Sequence, residues 1–440
     1  MTSKNNPKRT KKPVLSLQKS VGSLSLYTLS TNGLQVLFLH MPKTGIITSN
    51  IMYKVGSRDE NRGETGIAHM LEHMLFKPTK HDIDAGIDSS AMQFERETGI
   101  TLNANTWKDR TCYYFSYPKH HFSRALRIEA ERMRDMVLTD AEFLPERANV
   151  LSEYDMYAGD EDFALSVGVV GTALHTHPYG HETIGYREDI ESYTCEKLTQ
   201  FYNTYYVPNN ATLIIVGDVS ESTMKHMVIE HFAHLTSSTK TISRLSIHEP
   251  KQEGVRTVSI KRNSTKNILS LAFRHDGFPH ISWFETMTAL TILAGEEDSI
   301  LHKKLVDTGL ASAVSTMLEP TYDTNVGMLT VHLTKKTNHK KIYAKIRKIL
   351  DTLTIADIQP HLKKVIARSI TAEYITRSSS LGIAQELVEY MSADAWEHFY
   401  ETEDILRHIT AKEILTRIQT LFAEDVLTIG SFIGTNIPTK

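Results

Sequence analysis

The residues of this 440-residue chain whose types and spacing most clearly suggest chemistry lie in one segment, His69-Met70-Leu71-Glu72-His73. Residues four apart on a helix project from one face, so His69 and His73 would point the same way. Two imidazoles at that separation can hold one Zn²⁺ ion between them. Glu72 would stand beside the ion, where a carboxylate can take a proton from a metal-bound water. The order His-x-x-Glu-His therefore predicts a hydrolytic metal site.

The sequence around this segment favours a helix. Its apolar residues recur at helical spacing and would form one stripe: Ile67, Met70, Leu71, Met74 and Leu75. Pro78 follows and would end the helix. The alternative is an ordinary amphipathic helix whose histidines bind no metal and whose Glu72 is solvated. A motif this short needs structural context before it is accepted, and the helical context favours the metal site.

A third protein ligand must come from elsewhere, because a catalytic zinc site has three protein ligands and one open position. Glu146 and Glu153 are candidates, since they are seven residues apart and would share a helix face. One of them can bind the metal while the other hydrogen-bonds a histidine ligand from behind. Spacing alone does not decide which carboxylate has which role.

Further motifs outside these segments make the chain similar to the pitrilysin-like zinc peptidases, the family of insulysin and the mitochondrial processing peptidase. They are Gly-Ser-Arg-Asp-Glu at 56–60, Thr-Gly-Ile-Ala-His at 65–69, Asn103 and Ala104 with Thr106, Asp109 and Thr111, His-Pro-Tyr-Gly at 177–180 with Ile-Gly at 184–185, and Tyr-Val-Pro-Asn-Asn-Ala-Thr at 206–212 leading into Val-Gly-Asp-Val at 216–219. The resemblance implies an endopeptidase that acts on unfolded peptides.

The resemblance also implies a ligand set. It makes Glu153 the third zinc ligand beside His69 and His73, and it gives Glu146 the supporting position. One zinc ion per chain is expected, because the second half of the sequence has no His-x-x-Glu-His. Glu72 keeps the role of general base that its position suggests.

The resemblance assigns substrate binding to Asn103 and Ala104. The plainer alternative is that both are ordinary strand residues. We favour an exposed strand edge beside the metal, because such an edge can pair with an extended peptide by β-augmentation.

The composition is that of an ordinary globular protein, with 40% hydrophobic and 23% charged residues. The formal net charge of −3 gives no electrostatic reason to expect nucleic acid or an anionic membrane as a partner. Cys112 and Cys195 are the only cysteines, so we expect neither a disulfide framework nor a cysteine metal site. No apolar stretch reaches the roughly 18 residues that a membrane span needs.

Residues 1–24 are predicted to form a disordered basic tail, because the first part is rich in lysine and contains two prolines, Pro7 and Pro13. No apolar signal core follows these residues, so we expect no secretory signal. From this we expect a cytoplasmic protein, and the alternative locations are the mitochondrial matrix and the periplasm.

After the tail, the sequence predicts an α+β fold made of two homologous domains. Residues 25–234 would form the zinc-bearing domain, residues 235–254 a linker, and residues 255–440 a second, metal-free domain. In each half, strand pairs precede runs of helices, which indicates an antiparallel sheet with helices packed on it. The resemblance implies the pitrilysin and LuxS-like metallohydrolase type. The segment from 78 to 92 is predicted as a polar loop.

The second half departs from the family at two positions. Active members use an Arg and a Tyr near the substrate carbonyl, but Val306 and Ser312 stand at the matching places, and no Arg occurs between Arg274 and Arg347. The chain therefore looks like the zinc-bearing, half-length member of a pair, similar to the beta type of the mitochondrial processing peptidase. We expect a heterodimer with a homologous chain that supplies the Arg/Tyr pair. A homodimer, and a non-catalytic scaffold or chaperone-like protein, are the alternatives.

Overall fold

The computed structural model of the chain describes residues 12–240, 242, 244 and 247–436. In these residues the chain forms a seven-stranded and a five-stranded β-sheet, each with helices packed on it. The strands are β1 (Leu15–Val21), β2 (Leu24–Leu29), β3 (Gln35–His40), β4 (Ile46–Tyr53), β5 (Thr101–Thr106), β6 (Thr111–Pro118), β7 (Ala211–Gly217), β8 (Arg256–Arg262), β9 (Asn267–His275), β10 (Ala311–Met317), β11 (Asn325–Leu333) and β12 (Thr428–Gly434).

The helices divide between the same two halves of the chain. They are α1 (Ile67–Met74), α2 (Lys80–Ala85), α3 (Ser90–Thr98), α4 (Phe122–Arg134), α5 (Asp140–Gly159), α6 (Glu161–Ala173), α7 (Arg187–Ser192), α8 (Cys195–Tyr205), α9 (Glu221–Phe232), α10 (Ile281–Ala294), α11 (His339–Asp351), α12 (Ile355–Thr376), α13 (Ser380–Ser392), α14 (Thr402–His408) and α15 (Ala411–Leu421). Many begin at a residue whose side chain caps the first turn, such as Thr139 before α5 and Thr194 before α8.

The first sheet has the strand order β1-β2-β3-β7-β4-β6-β5. Neighbouring strands are antiparallel except β3 and β7, which run parallel. The second sheet has the order β10-β11-β9-β12-β8, and its parallel pair is β12 and β8. In both sheets the last strand returns after a long run of helices, and that connection lets it run in the same direction as its neighbour. The α+β class is confirmed, but the sheets are mixed and not purely antiparallel.

Two parts of the sequence prediction are wrong. The predicted tail extends to residue 24, but the chain forms β1 from Leu15 onward. β1 pairs with β2, which is anchored in the core by alternating apolar residues such as Leu24 and Leu26. Residues 1–11 of that tail lie outside the described residues. The predicted loop from 78 to 92 contains α2 and the start of α3, whose first turns are capped by Thr79 and Ser89.

The two halves exchange helices. Helix α6, from the first half, packs on β8, β9 and β12 of the second sheet, and helix α13, from the second half, packs on β4 and β7. Gly430 in β12 allows the close approach of α6, since a Cβ atom there would lie 2.3 Å from Val169. On the other side, the hydroxyl groups of Thr48 and Ser380 are 2.9 Å apart. These helices join both halves into one packed unit.

Between the sheets, the described residues from 235 to 254 contain no helix or strand. Within the part of the chain that the structure describes, no helix combines the length and the apolarity needed to cross a membrane.

Candidate metal centre

Helix α1 is fixed at its first turn by the buried carboxylate of Glu60. Its two oxygens accept hydrogen bonds from the backbone N–H groups of Gly66 and Ala68, both at 2.9 Å. A carboxylate at this end of a helix also complements the helix dipole. Gly66 has a φ of 87°, in the left-handed region, and a Cβ atom there would lie 2.4 Å from the carbonyl oxygen of Ile184. The start of α1 is therefore held by charge on one side and by a tight backbone contact on the other.

The histidines of α1 converge with a carboxylate of α5. The Nε2 atoms of His69 and His73 are 3.3 Å apart. Glu153 Oε2 lies 3.8 Å from the first and 3.6 Å from the second. Two ligand atoms bound to one tetrahedral zinc ion lie roughly 3.3 Å apart, given bond lengths of about 2.0–2.1 Å. Two imidazoles and one carboxylate are also a donor set that zinc accepts. The residues therefore fit a zinc ion.

Burial prepares His69 to act as a ligand. It lowers the pKa of His69 to about 3, with a further contribution from His73, so the imidazole is neutral and its lone pair is free for a metal. The Nδ1 atom of His69 is buried and has no hydrogen-bond partner among the described residues. The orientation of this ring therefore depends on packing.

His73 is oriented by Glu146. The Nδ1 atom of the histidine is 2.9 Å from Glu146 Oε1, and Lys77 Nζ is 2.6 Å from Glu146 Oε2. Burial lowers the pKa of His73, but the bond with Glu146 and the nearby carboxylates outweigh burial and raise it. The bond with His73 and the contact with Lys77 lower the pKa of Glu146 to about 2, against the effect of burial. Glu146 is thus a carboxylate behind the ring, and Glu153 faces the atoms that would bind the metal.

Glu72 lies next to this cluster without belonging to it. Thr106, the last residue of β5, donates a hydrogen bond of 2.6 Å from Oγ1 to Glu72 Oε2. Burial raises the pKa of Glu72 although this bond opposes it. A carboxylate whose pKa is raised is a stronger base than a solvated one.

Asn103 and Ala104 lie on β5, the terminal strand of the first sheet. Ala104 is half-buried and packs on the core beneath α1. Asn103 is exposed, and its side-chain oxygen accepts a hydrogen bond of 2.8 Å from the Ala104 N–H. The structure therefore puts both residues on a sheet edge near α1, with side chains on opposite faces.

Comparison with known proteins identifies the family. Residues 35–186 match the family model described as Insulinase (Peptidase family M16), and residues 192–363 match the model Peptidase M16 inactive domain. The chain belongs to peptidase family M16. The resemblance to the pitrilysin-like peptidases is thereby confirmed.

This chain is similar to individual M16 proteins over different parts of its length. Zinc protease PqqE of Helicobacter pylori is 34% identical over 281 residues, which span 63% of this chain and 62% of that protein. A probable mitochondrial-processing peptidase subunit beta of Schizosaccharomyces pombe is 29% identical over 216 residues, which span 49% of this chain and 46% of that protein. The crystal structure of a protease from Helicobacter pylori matches with a TM-score of 0.87 and 26% identity, over 94% of this chain and 100% of that one. The two sequence matches each span less than two thirds of the relative's own length.

In this M16 chain the cluster of His69, His73 and Glu153 opens onto a cleft of about 240 Å³. Glu319 belongs to the second half of the chain, so both halves form the cleft. The rings of Tyr157 and Phe163 stack with centroids 5.4 Å apart. The residues that line the cleft together with His69 and Glu153 are Thr106, Trp107, Tyr157, Phe163, Glu182, Thr183, Ile184 and Glu319.

Val306 and Ser312 do not belong to the described residues that line this cleft. Val306 ends a short helical turn, His302–Val306. Ser312 lies on β10 and donates a hydrogen bond of 3.4 Å to the carbonyl oxygen of His332.

Sequence reasoning missed two residues that position the centre. Glu60 and Thr106 belong to the motifs at 56–60 and 103–111, but neither was given a role of its own. An acidic residue shortly before a glycine-led helix was the available signal for Glu60. No local signal indicated Thr106, because its contact with Glu72 joins residues far apart in the sequence.

Proposed function

We propose that this chain is the zinc-bearing subunit of an endopeptidase that hydrolyses peptide bonds in unfolded peptides. His69, His73 and Glu153 would bind one zinc ion, and Glu146 would hold the ring of His73. The observation that supports this proposal best is that one ligand atom from each of the first three residues lies within 4.8 Å of the others. Membership of a peptidase family whose relatives include a named zinc protease supports it further.

Zinc, when bound, would supply Lewis acidity toward a water molecule and toward the scissile carbonyl. Glu72 would accept a proton from the attacking water and later deliver it to the leaving amine. Its burial favours this role, because burial raises the pKa of Glu72. The peptide would lie along the outer edge of β5, where Asn103 and Ala104 would bind it by strand addition.

The chain would work with a homologous partner that supplies an Arg and a Tyr. Val306, which stands at one matching position, has no side-chain donor for a developing oxyanion, and Ser312, at the other, donates to the carbonyl oxygen of His332 and does not belong to the described residues that line the cleft. A heterodimer is therefore favoured over a homodimer.

Two variants test the proposal. Glu72→Gln preserves shape and ligands but removes the base, so zinc should stay near one ion per chain. Cleavage of a quenched fluorescent peptide, measured with the partner present, should fall by roughly 10²–10⁴-fold. His73→Ala should lose zinc during dialysis against a chelator.

Near wild-type cleavage by zinc-loaded Glu72→Gln protein would exclude Glu72 as the base. Equal zinc retention by His73→Ala and the wild type would exclude the ligand set. Zinc binding without any peptide cleavage, with or without a homologous partner, would favour the scaffold alternative.

A further inference from the structure

We propose that Thr106 is a positioning residue that holds the Glu72 carboxylate in place for proton transfer. The inference rests on the proposed function, because it gives Glu72 a supporting partner in that reaction. The observation that carries it is the hydrogen bond of 2.6 Å from Thr106 Oγ1 to Glu72 Oε2. Since the threonine hydroxyl donates to only one carboxylate oxygen, the other oxygen stays available for a water molecule.

Glu72 needs such a partner because its side chain can rotate. A glutamate has several rotatable bonds, and ordering them costs conformational entropy. Misplacing a reacting group by about 1 Å can lower the rate by about 10²-fold. The helix backbone fixes only where the side chain starts. The hydroxyl of Thr106 therefore selects one position of the carboxylate.

Thr106 can do this because its own position is fixed by the sheet. It is the last residue of β5 and pairs with Thr111 of β6. Strand alternation puts Thr106 on the same face as Ala104, which packs under α1. The Trp107 N–H donates to the carbonyl oxygen of Arg110 at 2.8 Å and closes the turn directly after Thr106.

The turn after Thr106 is tied to its surroundings by three buried charged residues, Lys108, Asp109 and Arg110. Lys108 Nζ donates to the carbonyl oxygen of Tyr179 at 3.2 Å. Arg110 forms an ion pair with Glu389 of the second half. Buried charges are tolerated only when they are paired, so these contacts leave the turn little freedom.

Asp109 makes the largest set of contacts in this turn. It accepts hydrogen bonds from Arg58 at 2.9 Å, from the Tyr179 hydroxyl at 2.6 Å and from the Tyr322 N–H at 2.9 Å. Tyr322 belongs to the second half. The position of Thr106, and through it that of Glu72, therefore depends on groups from both halves of the chain.

The test compares Thr106→Val, which removes the hydroxyl but keeps the size and the branched shape, with Thr106→Ser, which keeps the hydroxyl. Thr257→Val is the matched control, because Thr257 is an exposed strand residue on β8 of the second sheet and does not belong to the described residues that line the cleft. Each variant is assayed as the zinc-loaded chain together with its partner, and zinc content is measured alongside. Thr106→Val should lower kcat by about 10- to 100-fold with KM changed less than about twofold, as expected for lost positioning. Thr106→Ser should recover most of kcat, and Thr257→Val should match the wild type.

Crystal structures of the same variants give a readout that does not need activity. The Glu72 carboxylate should leave its position in Thr106→Val and keep it in Thr106→Ser. A Glu72 side chain that keeps its position in Thr106→Val would overturn the inference. So would equal loss of kcat in the Val and Ser variants, or a kcat for Thr106→Val within about twofold of wild type. If instead the Glu72→Gln protein cleaves peptides at the wild-type rate, the proposed function fails, and the crystal structures still decide whether Thr106 holds the carboxylate.

Discussion

Replacing Glu146 or Glu153 with glutamine should separate two roles that their spacing leaves open. Glu146 contacts His73 Nδ1 at 2.9 Å and Lys77 Nζ at 2.6 Å, and its pKa is lowered to about 2. The amide oxygen of glutamine can still accept a bond from His73, but without the charge that makes such bonds roughly twice as strong. We therefore expect Glu146→Gln to weaken zinc binding by about 10–100-fold. This loss corresponds to about 1.4–2.8 kcal/mol.

Glu153→Gln should have a larger effect, because Glu153 Oε2 faces both Nε2 atoms at 3.6 and 3.8 Å. A neutral amide in its place removes one of the three ligands and its charge, so zinc should be lost together with activity. Asp155→Asn is the matched control on the same helix. Asp155 is 60% exposed and pairs with Arg187 at the surface, where an ion pair contributes little.

The assay is competition for zinc against a chelator of known affinity, followed by metal analysis of each purified variant. The expected order of zinc affinity is wild type and Asp155→Asn, then Glu146→Gln, then Glu153→Gln. The assignment is reversed if Glu146→Gln strips the metal while Glu153→Gln retains it. Equal affinity in all four proteins would show that neither carboxylate serves the site.

Two other predictions concern the partner chain and acid stability. Adding a homologous chain that carries the Arg/Tyr pair should raise peptide cleavage by about 10²–10³-fold and shift the native mass to that of a heterodimer; full activity of the isolated chain would contradict this. Burial raises the pKa of Glu249, but N–H groups of residues 175–177 outweigh it and lower the pKa to about 2. Because this folded-state value lies below the unfolded one of about 4.3, its stabilisation is present above pH 4.3 and is lost as the pH falls toward 2. Urea unfolding should therefore show Glu249→Gln less stable by at most about 3 kcal/mol at pH 7, with a gap that shrinks toward pH 2; a gap independent of pH would refute it.

The helix that bears the histidines was predictable because its information is local. The apolar stripe predicts a helix from Ile67, and the structure has α1 over Ile67–Met74. Spacing of four residues then puts both imidazoles on one face whatever the rest of the chain does. The same local argument applies to β3, β4 and β6, where short, largely apolar runs form strands.

The roles of Glu146 and Glu153 were not predictable from spacing, because they depend on how α5 lies against α1. Seven residues of helix rise by about 10 Å, so the two carboxylates reach opposite sides of the same imidazole. Glu146 meets Nδ1 of His73, and Glu153 meets Nε2. Helical spacing predicts that the two carboxylates share a face, but only the packing of α5 against α1 determines which carboxylate contacts which nitrogen of His73.

Helices α6 and α13 are harder to recognise from the sequence than α1. Helix α13 is buried on more than one side, for example at Val388 and Tyr390, because it packs between the first sheet and its own half. A helix covered on more than one side has no single apolar stripe. Helix α6 contains Gly168, where Val258 and Ile260 of β8 approach closely, and glycine lowers helix propensity. In both cases the residues are suited to contacts with a distant sheet, which a local pattern does not reveal.

These contacts give the second half of the chain a part in the arrangement around Glu72. It lacks the histidine motif, yet it supplies Glu319 to the cleft, Tyr322 to Asp109 and Glu389 to Arg110. Without it, Asp109 and Arg110 would lose these partners. The strand that ends in Thr106 would then lose its anchor, and Glu72 would lose its fixed neighbour. The arrangement of residues around Glu72 therefore depends on the whole chain.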